Sequence, residues 1–313
     1  MFEIKGKVST ALCYANVVED EAIEQIRRMC DYEFTAGSEI RIMPDVHAGK
    51  GCTIGTTMTI TDKVVPNIVG VDIGCGMYTV ELGKVDIDFE RVDEAAHFIP
   101  SGHNTWEGRL ERFDLTGLRC YRSLKLTKRL EKSLGTLGGG NHFIEIDAAA
   151  DGTKYLVIHS GSRNLGKQVA EIYQALAVDL NMGKEELFKK QDELIRSYKV
   201  KGRRSEIDAA LKALKKEWKA NEPTIPPDLC YVYGKYMEDY LHDVEICQRF
   251  AKRSRERMAE ILLARTDMQA LSAFHTIHNY ISTDEMILRK GAIAAREGEP
   301  LLIPINMRAV SYT

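Results

Sequence analysis

The sequence has no stretch that approaches the roughly 20 consecutive apolar residues a membrane-spanning helix requires. Its opening, Met1-Phe2-Glu3-Ile4-Lys5, carries no basic segment followed by an apolar core, so no secretory signal is expected and the cytoplasm is the expected location. Cysteine is sparse and unpatterned: Cys13, Cys30, Cys52, Cys75, Cys120, Cys230 and Cys247 form an odd set without a CxxC pair, which argues against a disulfide framework. Internal repeats, low-complexity tracts and a clean interdomain linker are also missing. Net charge is small, with 43 basic against 46 acidic residues and a formal balance of −3, so any nucleic-acid site must be a local patch. With 313 residues, 44% of them hydrophobic and 28% charged, the chain has ordinary globular composition, which excludes disorder, collagen and an extended coiled coil.

Periodicity supplies the elements. Ile23, Ile26 and Met29 recur at helical spacing within residues 21–31. Short β-prone runs follow at Ile40–Met43, Thr56–Ile60 and Met77–Leu82, cut by glycines. Residues 49–76 contain six glycines, a density suited to backbone that turns tightly and approaches a ligand. Two further strands are expected at 141–146 and Tyr155–His159, each adjoining a glycine- or serine-containing loop. Residues 165 to 219 read as helical and strongly charged, and 229–265 as one long helix or a helix with a break. The expected architecture is a single domain, residues 1–313, with a β-rich core and a charged helical insertion at about 165–265.

Within Val69-Gly70-Val71-Asp72-Ile73-Gly74-Cys75-Gly76-Met77, Asp72 and Cys75 stand three apart among glycines. Two readings are open there: a turn around a buried cysteine, or a turn that aims carboxylate and thiolate at a common centre, where a thiolate can bridge two metals. His142, His159 and His278 occupy glycine-rich or strand-end contexts that hold an imidazole rigidly. Singly each is compatible with a structural histidine. Together with Asp72 and Cys75 they offer a mixed N, S and O set suited to Mn²⁺ or Zn²⁺ and able to hold two ions through a shared thiolate. His275 and His278, at i and i+3, are expected on one helical face.

The glycine run 138–140 could cradle phosphate with successive backbone N–H groups, and Arg163 offers a guanidinium fork. No Walker loop is present. Lys201-Gly202-Arg203-Arg204, the cluster Lys212, Lys215, Lys216 and Lys219, and a basic stretch over 248–257 are candidate RNA backbone contacts or solvated helical faces.

Met43-Pro44-Asp45-Val46-His47, the Asp72–Cys75 segment, Gly138-Gly139-Gly140-Asn141-His142-Phe143-Ile144-Glu145, His159-Ser160-Gly161-Ser162-Arg163, His278-Asn279 and Arg289-Lys290-Gly291-Ala292 resemble, in order, the motifs of the RtcB RNA ligases. The resemblance implies an α+β RtcB-type fold with a β-rich core around a dinuclear metal site. It implies an enzyme that joins RNA 3′-phosphate or 2′,3′-cyclic phosphate ends to 5′-hydroxyl ends, using GTP and two Mn²⁺ ions, in tRNA splicing or RNA repair. In that family a histidine is guanylylated by GTP, GMP passes to the RNA 3′-phosphate, and the 5′-hydroxyl displaces it. Carried over by motif, Asp72, Cys75 and His142 hold one Mn²⁺, and Cys75, His159 and His278 the other. Asn141, His142, Phe143, Ile144, Glu145, His278 and Asn279 lie along the guanylate, joined by Pro304, Met307 and Ser311 from a C-terminal loop. Arg163 contacts an RNA phosphate, and Asp62 stands where the family has a functionally important aspartate.

Ile305 and Asn306 depart from the family's usual Gly-Ser, and Arg308 from a glycine. The His-Gly-Ala-Gly-Arg motif bearing the guanylylated histidine does not occur in the sequence, nor does the terminal lysine that packs on guanine. Two alternatives follow: the chain is a fragment of an active ligase whose nucleophile comes from a C-terminal segment or a partner protein, or it is a shortened protein that does not complete the first step alone. Two rivals predict different behaviour. A metal-dependent RNA phosphohydrolase would open a 2′,3′-cyclic phosphate without GTP, and a non-catalytic RNA-binding relic would keep salt-dependent RNA affinity in Cys75→Ala.

Overall fold

The computed structural model describes residues 1–218 and 224–303, so Pro304, Met307 and Ser311 lie outside the described residues. The strands are β1 (Phe2–Lys5), β2 (Thr10–Cys13), β3 (Ile40–His47), β4 (Ile54–Thr59), β5 (Lys63–Val64), β6 (Gly76–Gly83), β7 (Phe143–Ala148), β8 (Lys154–Ser160), β9 (Val232–Tyr233), β10 (Ser272–Ile277), β11 (Asn279–Ser282) and β12 (Ile287–Lys290). The helices are α1 (Asp20–Met29), α2 (Pro66–Val69), α3 (Phe89–Phe98), α4 (Thr127–Glu131), α5 (Arg163–Asn181), α6 (Glu185–Val200), α7 (Ile207–Glu217) and α8 (Gly234–Thr266).

Alternation of apolar side chains determines how the central strands sit. In β8, Leu156 and Ile158 face one side of the sheet, and Val80 and Leu82 of β6 share their cluster with Met258, Ala259 and Leu262 of α8. Each such side chain, buried completely, contributes roughly 1.5–3 kcal/mol of hydrophobic stabilisation. His159 has the opposite parity in β8 and so emerges on the other side. The resulting four-stranded sheet has the order β10-β6-β8-β7 with every neighbour antiparallel.

A second, six-stranded sheet has the order β1-β2-β3-β4-β12-β11. Its β2–β3 pair is parallel and the others are antiparallel. The β3–β4 register breaks between Ile42 and His47, where Pro44 cannot donate a ladder hydrogen bond. The chain passes from β10 in the smaller sheet to β11 in the larger one through a single residue, His278.

The helical stretch is divided between core and periphery. Helix α5 buries Leu165, Val169, Ala170 and Tyr173, and α8 runs 33 residues with Tyr240, Phe250 and Met258 inside. By contrast α6 buries Leu187 alone and α7 buries nothing, so the charged hairpin they form is the peripheral part of residues 165–265. The long helix starts at Gly234, because Val232 and Tyr233 pair with β5. One expectation fails outright: His275 is in strand β10 and His278 follows that strand, so they share no helical face. His275 stacks on Tyr78 of β6 at 4.3 Å between ring centroids, and its Nε2 lies 3.3 Å from Glu256.

Candidate metal centre

One end of the four-stranded sheet gathers the five predicted ligands. Cys75 immediately precedes β6, His142 immediately precedes β7, His159 is the penultimate residue of β8, and His278 immediately follows β10. Because neighbouring strands are antiparallel, these are four adjacent strand ends, with Gly76 paired to Ser160 and Ile277 and Phe143 paired to His159. Asp72 joins them through the turn the glycines permit, in which the Cys75 N–H donates to the Asp72 carbonyl at 3.1 Å. The β10–β11 junction braces that turn: His278 N–H donates to Cys75 O at 3.0 Å, and Gly74 N–H to Asn279 O at 2.7 Å.

The ligand atoms form two triads, Asp72–Cys75–His142 and Cys75–His159–His278, each with its atoms within 4.8 Å of one another. Cys75 Sγ lies 3.2 Å from His159 Nε2 and 3.6 Å from His142 Nε2. His142 Nε2 is 2.8 Å from Asp72 Oδ2, and the Nε2 atoms of His159 and His278 face each other at 3.4 Å. Two backbone carbonyls decide what those nitrogens present. His142 Nδ1–H donates to Leu137 O at 3.1 Å, and His159 Nδ1–H to Asn141 O at 2.8 Å, which leaves the Nε2 lone pair of the neutral His159 ring turned into the cluster. Imidazole nitrogens, a carboxylate and a sulfur that converge at these distances are the donor types that hold divalent transition-metal ions. The donor set therefore fits metal binding.

The electrostatics agree. Burial holds His159 down to about 4 and His278 down to about 3, so both rings are neutral ligands at neutral pH. Burial also pushes the Cys75 thiol well above its ordinary value, reinforced by the Asp72 charge. For Asp72 burial acts upward, but the His142 hydrogen bond and charge outweigh it and hold the carboxyl below the usual range.

Close packing brings further groups to the cluster. A side chain at Gly161 would overlap the Asp72 carboxylate, and one at Gly138 (φ +97) would overlap the Arg163 guanidinium and stand 2.7 Å from His142 Nδ1. Arg163 has a left-handed backbone (φ +59), a conformation that costs a non-glycine residue about 1–3 kcal/mol. Its guanidinium donates to Gly102 O at 2.8 Å and Thr136 Oγ1 at 3.2 Å. A cavity of about 480 Å³ opens here, lined by Asp72, His142, Arg163, Lys167, Gly139 and Gly140 among others.

Arg255 is a residue that sequence reading missed. It lay within the basic stretch 248–257, yet it is fully buried and donates to Gly74 O at 2.8 Å and Ser160 O at 2.6 Å, the carbonyls next to Cys75 and next to His159. Among the described residues its Nε and Nη2 have no hydrogen-bond partner. Arg253 and Arg257 of the same stretch pair with Glu111 and Glu260. No exposed RNA-facing patch forms from these three arginines.

The remaining candidates are dispersed. Phe143 packs on His159 at 5.1 Å between ring centroids, and Glu145, two residues on in β7, shares its face while Ile144 turns to the apolar side. Asn279 Oδ1 accepts from Gly291 N–H at 2.9 Å, which joins β11 to the end of β12. Asp62 is exposed on the turn before β5, 2.8 Å from Lys63 Nζ and 3.3 Å from Thr61 Oγ1, and the structure does not bring it to the triads. Lys201 to Arg204 form the exposed α6–α7 turn, where Arg203 is paired with Glu206.

A family model described as tRNA-splicing ligase RtcB matches residues 25–114 and 103–313. The RNA-splicing ligase RtcB of Escherichia coli strain K12 is 29% identical over 338 residues, covering 94% of this chain and 74% of that protein. RNA-splicing ligase RtcB2 of Escherichia coli strain ATCC 25922 is 31% identical over 148 residues, covering 41% of this chain and 36% of that protein. The tRNA-splicing ligase RtcB of Archaeoglobus fulgidus is 29% identical over 212 residues, covering 49% of this chain and 43% of that protein. With the family model matched from residue 25 to residue 313, the chain belongs to the RtcB family.

Proposed function

We propose that this chain carries the metal-dependent core of a cytoplasmic RNA ligase that joins 3′-phosphate or 2′,3′-cyclic phosphate ends to 5′-hydroxyl ends with GTP and Mn²⁺. The observation that supports this reading is the pair of triads sharing one cysteine, one of which meets, through Asp72 and His142, a cavity that Arg163 also lines. Asp72, Cys75 and His142 would hold one ion, and Cys75, His159 and His278 the second. Bound there, divalent cations supply neutralisation of charge that develops during in-line transfer at phosphorus. The protein's own groups orient the reactants. Arg163 offers a fork for the RNA phosphate, the carbonyls of Asn141 and Leu137 fix the two imidazoles, and Gly139 and Gly140 expose backbone to the cavity. Asn141, His142, Phe143, Ile144, Glu145, His278 and Asn279 are assigned to the guanylate side, with Pro304, Met307 and Ser311 assigned from sequence alone.

The guanylylated histidine is expected from a C-terminal segment or a partner, which makes the reading testable in two parts. Intact-mass analysis after incubation with GTP and Mn²⁺ is expected to show no GMP adduct on the 313-residue chain. RNA already guanylylated at its 3′-phosphate bypasses that histidine. The same chain is then expected to seal it to a 5′-hydroxyl strand with release of GMP, and Cys75→Ala to abolish sealing. A folded, manganese-loaded chain that never seals this activated end overturns the proposal.

One observation favours a second reading, a metal-dependent phosphohydrolase. Among the described residues, His103 is the one histidine outside the triads that lines the same cavity, where an imidazole could move a proton without GTP. Opening of a 2′,3′-cyclic phosphate in the absence of GTP, lost in His103→Ala, would select it.

A further inference from the structure

The strongest local excess of positive charge beside the metal centre lies in residues 119–132, Arg-Cys-Tyr-Arg-Ser-Leu-Lys-Leu-Thr-Lys-Arg-Leu-Glu-Lys, where six cations stand against one carboxylate. That carboxylate, Glu131, is already paired with Arg109 at 3.1 Å. Arg122, Lys125, Lys128, Arg129 and Lys132 have no carboxylate within 4.0 Å among the described residues. A chain with a net charge of −3 thus concentrates uncompensated positive charge on one segment.

Three attachments hold the segment in place. At its start, the buried Asp243 of α8 accepts the backbone N–H groups of Arg119 at 2.8 Å and Cys120 at 3.0 Å, and the Tyr173 hydroxyl at 2.8 Å. In the middle, Gln168 of α5 both accepts from Lys125 N–H at 2.7 Å and donates to Lys125 O at 3.1 Å. Near its end, the Arg129 guanidinium donates to His103 O at 2.8 Å.

The segment also forms a continuous path to the ligands. A second cavity of about 580 Å³ is lined by Thr105, Leu126, Thr127, Lys128, Arg129 and Lys132. It shares Thr105, Leu126 and Arg129 with the cavity that contains Asp72, His142, Arg163 and Lys167. Cations therefore line one groove from Arg163 at the metal centre outward through Lys167 and Arg129 to Lys128 and Lys132. Arg163 alone would serve one phosphate. Further cations in series suit a ligand whose negative charge repeats along its length.

We infer that this groove binds the phosphodiester backbone of the RNA strand whose end reacts at the metal centre, with Lys128, Arg129 and Lys132 holding phosphates away from that end. The inference rests on the RNA-ligase reading and adds to it the path of the substrate. Backbone contacts of this kind are independent of base sequence and weaken steeply with salt.

The test compares the wild-type chain, the double variant Lys128→Glu/Lys132→Glu at an exposed and a half-buried lysine of the groove, and Lys212→Glu/Lys215→Glu on α7, which changes net charge equally. Fluorescence anisotropy with a short labelled RNA bearing a 3′-phosphate is measured across a KCl series, with circular dichroism melts to confirm folding. The groove variant is expected to lose roughly ten-fold or more in affinity and to show a log–log salt slope shallower by about 1.4, since each lost single-strand phosphate contact removes about 0.7. The α7 variant is expected to retain both. Equal affinity of wild type and groove variant, or equal loss in the two variants, overturns the inference and leaves the ligase reading standing. A wild-type chain without salt-dependent RNA affinity overturns both.

Discussion

Cys75 donates to both triads through one sulfur, and its surroundings control when that sulfur is available. Burial and the Asp72 charge keep the thiol protonated at neutral pH without a cation, whereas His159 at about 4 and His278 at about 3 are already deprotonated and Asp72 is ionised. Loading the site must then displace the cysteine proton, while those two histidines release none. Affinity for the ions rises with pH for that reason. Calorimetric titration of Mn²⁺ near pH 7, in buffers of different protonation enthalpy, is expected to report release of at least one proton per chain, the one from the thiol. No release would contradict the ligand role of the thiolate.

Elements rather than isolated residues give the site its rigidity, and α8 is the least obvious of them. Through Arg255 it supports the carbonyls of Gly74 and Ser160, and so the turn bearing Cys75 and the strand end bearing His159. Arg255→Met keeps the bulk but leaves two buried carbonyls without a donor, each worth about 1–3 kcal/mol. A lower melting temperature and weaker Mn²⁺ binding are expected, with partial recovery in Arg255→Lys. An unchanged melting curve together with unchanged metal affinity would refute this positioning role. Nothing in the sequence distinguished Arg255 from its neighbours, because a charge run does not reveal which arginine turns inward. The strand ends were more legible: the β-prone run 155–159 and the glycines before the alternating stretch at His142 placed both histidines at strand–loop junctions, as the structure has them. His275 and His278 show the opposite, since an i, i+3 spacing fits a helix as well as a strand and its exit. The β-branched Thr276 and Ile277 beside the aromatic Phe274 were the available cue for a strand.

At the scale of the whole molecule, the metal centre lies where the two larger sheets exchange the chain at His278. Ions bound by Cys75, His142 and His159 at the end of one sheet and by His278 at the junction, as proposed, would stabilise the folded arrangement of both, since the unfolded chain has no preformed site. Thermal melts are accordingly expected to shift upward with Mn²⁺ and downward with a chelator; identical midpoints would separate the site from the junction's stability. Whole-chain charge was a poor guide to the proposed RNA path. A balance of −3 conceals residues 119–132, and the more conspicuous clusters at 201–219 and 248–257 proved to include Arg203, Arg253 and Arg257, all paired with acids. The central claim is that five side chains hold two cations through one shared sulfur. Its most direct test is a Co²⁺ titration followed by absorption, in wild type and in Cys75→Ala. Binding of about two ions per chain, with a sulfur-to-cobalt charge-transfer band that grows through both equivalents and disappears in the variant, is the predicted result. A single ion bound without that band, or a variant that binds two ions as tightly as the wild type, would contradict it.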